Sequence, residues 1–251
     1  LRDVAWRPSP DQPYVLRGVD LTIEPGDFVA ITGETGAGKS VLLSIINGLV
    51  KPTHGSVTID RRNIADYALG PLRRRIGLLD QRPSLFDGSI LENLTLFRPE
   101  LAGAAMQAAR ATGLDRQIEH LADGYETQIG DAAGTRLSAS LRQQIAITRA
   151  LVERPAILLL DDPNAYLDHA ADENLERILT YLRGSVTIIV VTHRPSMISL
   201  ADAVYRLQNG VFAPETAAVG PSVYPGDLGQ SRAEPDGISV YQDTGQARRL
   251  G

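Results

Sequence analysis

The residues Gly33-Glu34-Thr35-Gly36-Ala37-Gly38-Lys39-Ser40 satisfy G-x-x-x-x-G-K-[ST] at every fixed position. The glycines let the backbone curl with its N–H groups pointing inward, and the apolar helix that follows, from Val41 to a stop at Gly48, turns the positive end of its dipole to the same spot. Such a cradle takes anionic phosphate. Lys39 can reach the β- and γ-phosphates of a nucleotide, and the Ser40 hydroxyl can ligate Mg²⁺. Further groups suited to that chemistry stand at the ends of apolar runs. Ala156 to Leu160 leads into Asp161 and Asp162; beside a nucleotide the first would order the Mg²⁺ shell and the second would polarise an attacking water. Gln81 closes the run from Ile76, at the carboxyl end where open α/β sheets place ligands, facing Mg²⁺ or water. His193 lies just past Val186 to Val191 and is assigned to the γ-phosphate. His54 has no His, Asp or Glu at ligand spacing and reads as a solvated turn residue.

These groups need strands to carry them. Asp27 to Thr32, Ile76 to Gln81, Ala156 to Asp162 and Val186 to Val191 read as buried strands, the third of them central and parallel. Val4 and Trp6 alternate on one strand, Pro8 to Pro13 turn, and Val15 to Ile23 alternate again, which predicts an antiparallel edge sheet. Ser56 to Asp60 reads as one more strand. From Pro99 to Gly124 the chain is alanine-rich, with Leu101, Ala105, Ala108, Ala109 and Thr112 on one helical face. Leu137 to Val152 is a second long helix, amphipathic through Leu141, Ile145, Ile147, Ala150 and Leu151, and another helix is expected from about Ala170 to Leu182. The expected fold is therefore α/β: a mostly parallel sheet around the phosphate loop, an antiparallel edge sheet, and a helical subdomain at about 98–152.

Composition narrows the classes. The chain has 251 residues, 43% of them hydrophobic, which is enough for one large α/β domain or one domain with a subdomain. A net charge of −5 without a dense basic block argues against a nucleic-acid or anionic-lipid surface, and Arg73-Arg74-Arg75 reads as a solvated face. Without cysteine, disulfides and thiolate metal sites are excluded. The apolar runs are strand-length, short of the roughly 18 residues a membrane span needs. The chain opens at Leu1 with neither a methionine nor a signal peptide, so we expect it to be part of a longer polypeptide.

The order of these motifs resembles the nucleotide-binding domain of an ATP-binding cassette (ABC) transporter, a P-loop NTPase fold, over Leu1 to Phe212. Gly33 to Ser40 resembles the Walker A loop, Gln81 the Q-loop glutamine, Ile157 to Asp161 the Walker B strand, Leu167-Asp168 the D-loop and His193 the switch histidine. Leu85 to Asn93 and Thr127 to Asp131 resemble the post-Q-loop segment and the X-loop of exporters, which favours an exporter over an importer. The resemblance implies ATP held by Gly33, Glu34, Thr35, Gly36, Ala37, Gly38, Lys39, Ser40 and Val41. It implies Mg²⁺ on Ser40, Gln81 and Asp161, catalysis by Asp162, His193 and Gln81, and Ser138 facing the nucleotide of a second such domain.

The departures from the family pattern bear on activity. In place of L-S-G-G-Q the chain has Leu137-Ser138-Ala139-Ser140-Leu141, so that a methyl and a hydroxymethyl stand where backbone must approach phosphate. One residue more than usual separates Gly130 from Leu137. Asp162 replaces the family's glutamate; it is shorter by one methylene, roughly 1 Å of reach, a misplacement that can cost about a hundredfold in rate. Val41 replaces a threonine, and Pro8 stands where an adenine-stacking aromatic is expected, leaving Tyr14 or Trp6 as platforms.

The resemblance implies an ATPase domain, of reduced activity, that pairs head to tail with an identical or different second domain. It would drive a transmembrane domain encoded upstream, at the cytoplasmic face of the inner membrane, this piece itself being soluble. An alternative is a weakened ATP-binding partner that leaves hydrolysis to a competent mate. A DNA-repair or ribosome-associated cassette ATPase is disfavoured by the exporter-like segment, the acidic balance and the lack of coiled-coil arms. After about Ala213 the chain is dense in breakers, from Pro214 to Glu234-Pro235-Asp236-Gly237, and a flexible tail over 213–251 is expected.

Overall fold

The computed structural model describes residues 1–130 and 137–215. β1 (Arg2–Trp6) pairs antiparallel with β2 (Leu16–Val19), and β3 (Phe28–Thr32) runs into the phosphate loop that α1 (Lys39–Ile46) leaves. Next come β4 (His54–Ser56), β5 (Thr58–Ile59), β6 (Arg62–Asn63), α2 (Leu69–Arg74) and β7 (Ile76–Leu79). The helical part holds β8 (Gly88–Ser89), α3 (Ile90–Thr95), α4 (Ala102–Thr112), α5 (Leu114–Ile118), β9 (Gln128–Ile129) and α6 (Ala139–Leu151). The chain then returns through β10 (Ile157–Asp161), α7 (His169–Leu182), β11 (Thr187–Val191), α8 (Pro195–Leu200), β12 (Ala203–Gln208) and β13 (Val211–Pro214).

The main sheet has the order β13-β12-β3-β11-β10-β7, parallel except for β13. Its central strands are apolar throughout because both faces are covered, and alternate residues serve opposite cores. Phe28, Ala30, Leu158, Leu160, Ile188 and Val190 pack with α6, α7 and α8. Val29, Ile31, Leu159, Ile189 and Val191 pack with α1 and the antiparallel sheet β2-β1-β4. Gly77 on β7 is a requirement of close approach: a Cβ there would lie 2.5 Å from the Ala150 carbonyl oxygen, so α6 could not rest on the strand.

The helical layer begins ahead of residue 98. Ile90 and Leu94 of α3 are buried in the same cluster as Ala105, Ala108, Ala109 and Ile145. α3 starts there because Ser89 and Glu92 form a reciprocal capping box. Polar side chains also tie this layer together: Thr112 shares a hydrogen bond of 2.7 Å with Thr148, and Arg98 grips Glu153 with two bonds of 2.7 Å.

Three local expectations differ from the structure. His54 lies in strand β4 opposite Ala5, exposed, with its Nε2 3.1 Å from an Asp3 oxygen, so the carboxylate that spacing along the chain did not reveal comes from a neighbouring strand. The run Ser56 to Asp60 divides, with Ser56 ending β4 and Thr58 opening β5. Strand structure also continues past Leu207 into β13, where Tyr205 and Phe212 stack at 4.8 Å and the Glu215 N–H donates to Val204. Residues 213–215 therefore belong to the fold; the remainder of the expected tail, Asp131 of the expected X-loop and the extra residue before Leu137 lie outside the described residues.

Candidate functional site

Parallel order places the carboxyl ends of β3, β11, β10 and β7 side by side, so four separated stretches of sequence converge on one sheet edge: the loop after Thr32, His193, the Asp161–Asp162 pair and Gln81. Register makes the alignment close: Val191 pairs with Ile31 and Asp161 with Val191.

The phosphate loop is built for an anion. Gly33 takes φ 138, and a Cβ on it would sit 2.1 Å from the Leu207 carbonyl oxygen, so β12 presses against the loop's first residue. α1 begins at Gly38 without a side-chain cap and without an acidic residue in its first turn. Its first N–H groups and the positive end of its dipole therefore meet no anion from its own N-cap or first turn. Glu34, Thr35 and Gly36 form the exposed rim, and the space at the Gly36 Cβ position is open. Lys39 is buried, its Nζ donating to the carbonyls of Gly33 at 2.5 Å and Glu34 at 2.8 Å. Burial lowers its pKa, opposed by the nearby charges of Asp161 and Asp162. Val41 and Ala37 turn toward the core beneath the loop, so the residue that replaces a threonine serves packing.

Asp161 is 6% exposed; burial raises its carboxyl pKa, and a hydrogen bond from Ser40 partly offsets that. Mg²⁺ takes oxygen donors, one or two carboxylates with water and phosphate completing its octahedron. A desolvated carboxyl bonded to the helix-start hydroxyl, with the Gln81 amide on the adjoining strand end, fits that ion. Among the described residues no group of three or more His, Cys, Asp or Glu could hold a metal without such added ligands.

Asp162 adopts a left-handed backbone, φ 50, which aspartate tolerates better than most residues. Its N–H donates to Val191 at 2.9 Å, and the Gln81 Nε2 lies 3.5 Å from its Oδ2, a long contact. His193 is exposed at the same edge, between the buried Thr192, whose N–H bonds Ile31, and Arg194. Tyr14 is 37% exposed with the Arg7 guanidinium 4.8 Å from its ring centroid, while Trp6 packs partly into the core; of the two platforms Tyr14 is the more open. The neighbouring Val15 would stand 2.7 Å from a Cβ at Gly38, which places this segment against the phosphate loop. Ser138 belongs to a different element, capping α6 by accepting the Leu141 N–H at 3.1 Å. Ala139 is exposed, whereas the Ser140 hydroxyl turns to Asp168.

Sequence reasoning missed the residues that fix the loop after Asp162. Gln143, fully buried, donates to the Pro163 carbonyl at 3.0 Å, and Arg194 donates to the Asn164 carbonyl at 3.2 Å and to Asp172 at 2.9 Å. Asn164 is fully buried and bonds Asp172. A glutamine at a core position of an amphipathic helix was the one available signal.

The ABC transporter family model matches residues 16–165. The ATP-dependent lipid A-core flippase of Chromohalobacter salexigens is 36% identical over 208 residues, 82% of this chain and 36% of that protein. The cyclolysin secretion/processing ATP-binding protein CyaB of Bordetella pertussis is 36% identical over 214 residues, 84% of this chain and 30% of that one. This chain thus spans about a third of the length of these relatives. A bacterial Atm1-family ABC exporter solved with ATP bound superposes with a TM-score of 0.78 at 29% identity, covering 84% of this chain and 38% of its own. With the family's phosphate loop, strand-end carboxylate and histidine converging on one edge, the chain belongs to the ABC transporter family.

Proposed function

We propose that the chain is the ATP-hydrolysing domain of an exporter. It binds Mg-ATP on the edge formed by β3, β11, β10 and β7, and closes on a second such domain whose α6 start completes the site. The observation that carries this reading is the buried Lys39 folded under an uncapped helix start, between the phosphate loop and the two strand-end carboxylates. Lys39 and the α1 N–H groups bind and orient the phosphates; Ser40, Asp161 and Gln81 would hold Mg²⁺. Held by these residues, the ion would supply neutralisation of charge on the phosphoryl group. Asp162 accepts a proton from the attacking water, Gln81 orients it, and His193 donates to the γ-phosphate. The shorter Asp162 and the exposed Ala139 methyl support hydrolysis slower than in a domain with glutamate and glycine at these two positions, whereas the Ser140 hydroxyl is turned to Asp168.

A membrane domain is the proposed mechanical partner. Phe86, Leu96 and Phe97 are 49%, 43% and 50% exposed on the helical layer, and Leu96 and Phe97 hold left-handed backbone, φ 53 and 59. Apolar side chains held out on strained backbone suit a surface that another domain covers. Among the described residues no helix is long and apolar enough to cross a membrane. In the proposed arrangement the membrane domain lies elsewhere in the polypeptide or on another chain, with this domain at the cytoplasmic face. The test is Phe97→Asp in the whole transporter reconstituted in vesicles. ATP binding should persist while ATP-driven substrate movement falls at least about tenfold; unchanged transport would refute the docking face.

A further inference from the structure

Ser140 stands where the family signature has glycine, and its hydroxyl is engaged within the chain. It donates to Asp168 Oδ2 at 3.1 Å and accepts from Gln144 Nε2 at 3.3 Å. The other Asp168 oxygen caps α7, accepting the Ala171 N–H at 2.9 Å. Gln144 is buried, and its main-chain carbonyl, as distinct from the side-chain amide that meets Ser140, accepts the Thr148 hydroxyl that in turn meets Thr112 of α4. Side chains of α6 thus bond both to α4, through Thr148, and to the first turn of α7, through Ser140. The next residue after Gly-replacing Ser140 and Leu141 on the buried side, Gln143, holds the Pro163 carbonyl. α6 therefore grips residues 163–168 at both ends, and Asp162 immediately precedes them.

We propose that Ser140 is a positioning residue for hydrolysis: through Asp168 it keeps the segment 163–168, and with it the backbone of Asp162, in register with α6. The proposal rests on the ATPase reading of Asp162. That residue holds a left-handed φ directly before Pro163, a conformation that persists only if the flanking backbone is constrained. Glycine at 140 offers no hydroxyl, so this link is one that an intact L-S-G-G-Q segment lacks. The Ser140–Asp168 bond is at the surface, so its loss loosens the segment without unfolding it.

The experiment uses the full transporter polypeptide with Ser140→Ala, Ser140→Gly and Ser140→Thr. Ser140→Ala and Ser140→Gly should lower kcat for ATP about threefold to tenfold with KM changed less than about twofold. Ser140→Thr keeps the hydroxyl and should recover kcat to within about twofold of the parent. Amide exchange over 163–171 should quicken at least about fivefold in Ser140→Ala while 39–46 is unaltered. An unchanged kcat in both hydroxyl-free variants, a shift in KM alone, or a threonine variant no better than alanine overturns the proposal. If the parent hydrolyses no ATP, the functional reading fails separately, and exchange still decides: unaltered rates over 163–171 overturn the link.

Discussion

The two helix starts on which the proposed function rests are finished in opposite ways. α1 opens from glycine with no side-chain cap and no acidic residue in its first turn, leaving its N–H groups to a ligand. α6 opens from Ser138, whose hydroxyl takes the Leu141 N–H, and its next turn sends Ser140 to Asp168 while the Ala139 methyl stands in solvent. The first end keeps its donors free of side-chain caps, as an anion site requires; the second has satisfied part of its hydrogen-bonding capacity with its own side chains. An uncapped start keeps its affinity for phosphate at the expense of local helix stability, and a capped one does the reverse.

The largest expected effect comes from removing the charge at the first end. Lys39→Ala should weaken binding of a fluorescent ATP analogue at least about tenfold, since it deletes the one mobile cation in the loop. Unchanged affinity in equilibrium titration would end the site assignment. The loop's backbone can be tested separately. Gly33→Ala drives a Cβ to 2.1 Å from the Leu207 carbonyl, whereas Gly36→Ala meets nothing within 4 Å and bears only the strain of φ 82. Thermal unfolding should show a loss on the order of 3 kcal/mol or more for the first and about 1–2 kcal/mol for the second. Equal losses would mean that contact with β12 does not shape the loop.

At the other end of the comparison, Asp162→Glu should raise steady-state ATP hydrolysis by the whole transporter about twofold to fivefold, because the longer carboxylate reaches the water. The gain stays modest because the left-handed backbone at 162 favours aspartate. If the rate does not rise, the start of α6 is the limiting surface. Ala139→Gly, which clears the exposed methyl and spares the Ser140–Asp168 bond, should then raise it instead.

The sequence made the strand-end chemistry legible because short-range rules govern it. A glycine pattern between a strand and a helix, and apolar runs ending in Asp161–Asp162, Gln81 and His193, leave few other arrangements once the strands are parallel. The family model and the relatives agree with the α/β architecture and the transporter assignment. What sequence did not reveal depends on contacts between distant segments. Asp3 beside His54, Gln143 on Pro163, and Arg194 with Asp172 join residues 20 to 51 positions apart, and no local pattern encodes such pairs. α3 was likewise hidden, because its six residues are too short for a helical period to register, although its capping box was in plain view.

The smallest expected effect concerns how the phosphate loop is braced from the edge strand. Thr32, the residue before Gly33, donates its hydroxyl to Glu215 at 2.5 Å, and Arg206 Nε reaches the other oxygen of the same carboxylate at 3.0 Å. The Thr32 bond, ahead of Arg206, holds the Glu215 carboxyl below the usual range, so this brace is present above ordinary carboxylate pKa values and is lost as pH falls through the depressed one. A domain ended at residue 215 keeps the brace and β13; one ended at 212, the boundary that the breaker pattern suggested, loses the brace and the second half of β13, Ala213 and Pro214. The longer version should match the full chain in ATP affinity. The shorter should melt lower by about 2–4 °C, the shift expected for roughly 1 kcal/mol in a domain of this size, with affinity down by less than about threefold. Equal melting of the two at neutral pH would show that Glu215 braces nothing, and a gap that persists unaltered once acid has protonated the carboxyl would place the effect in β13 packing and not in the carboxylate.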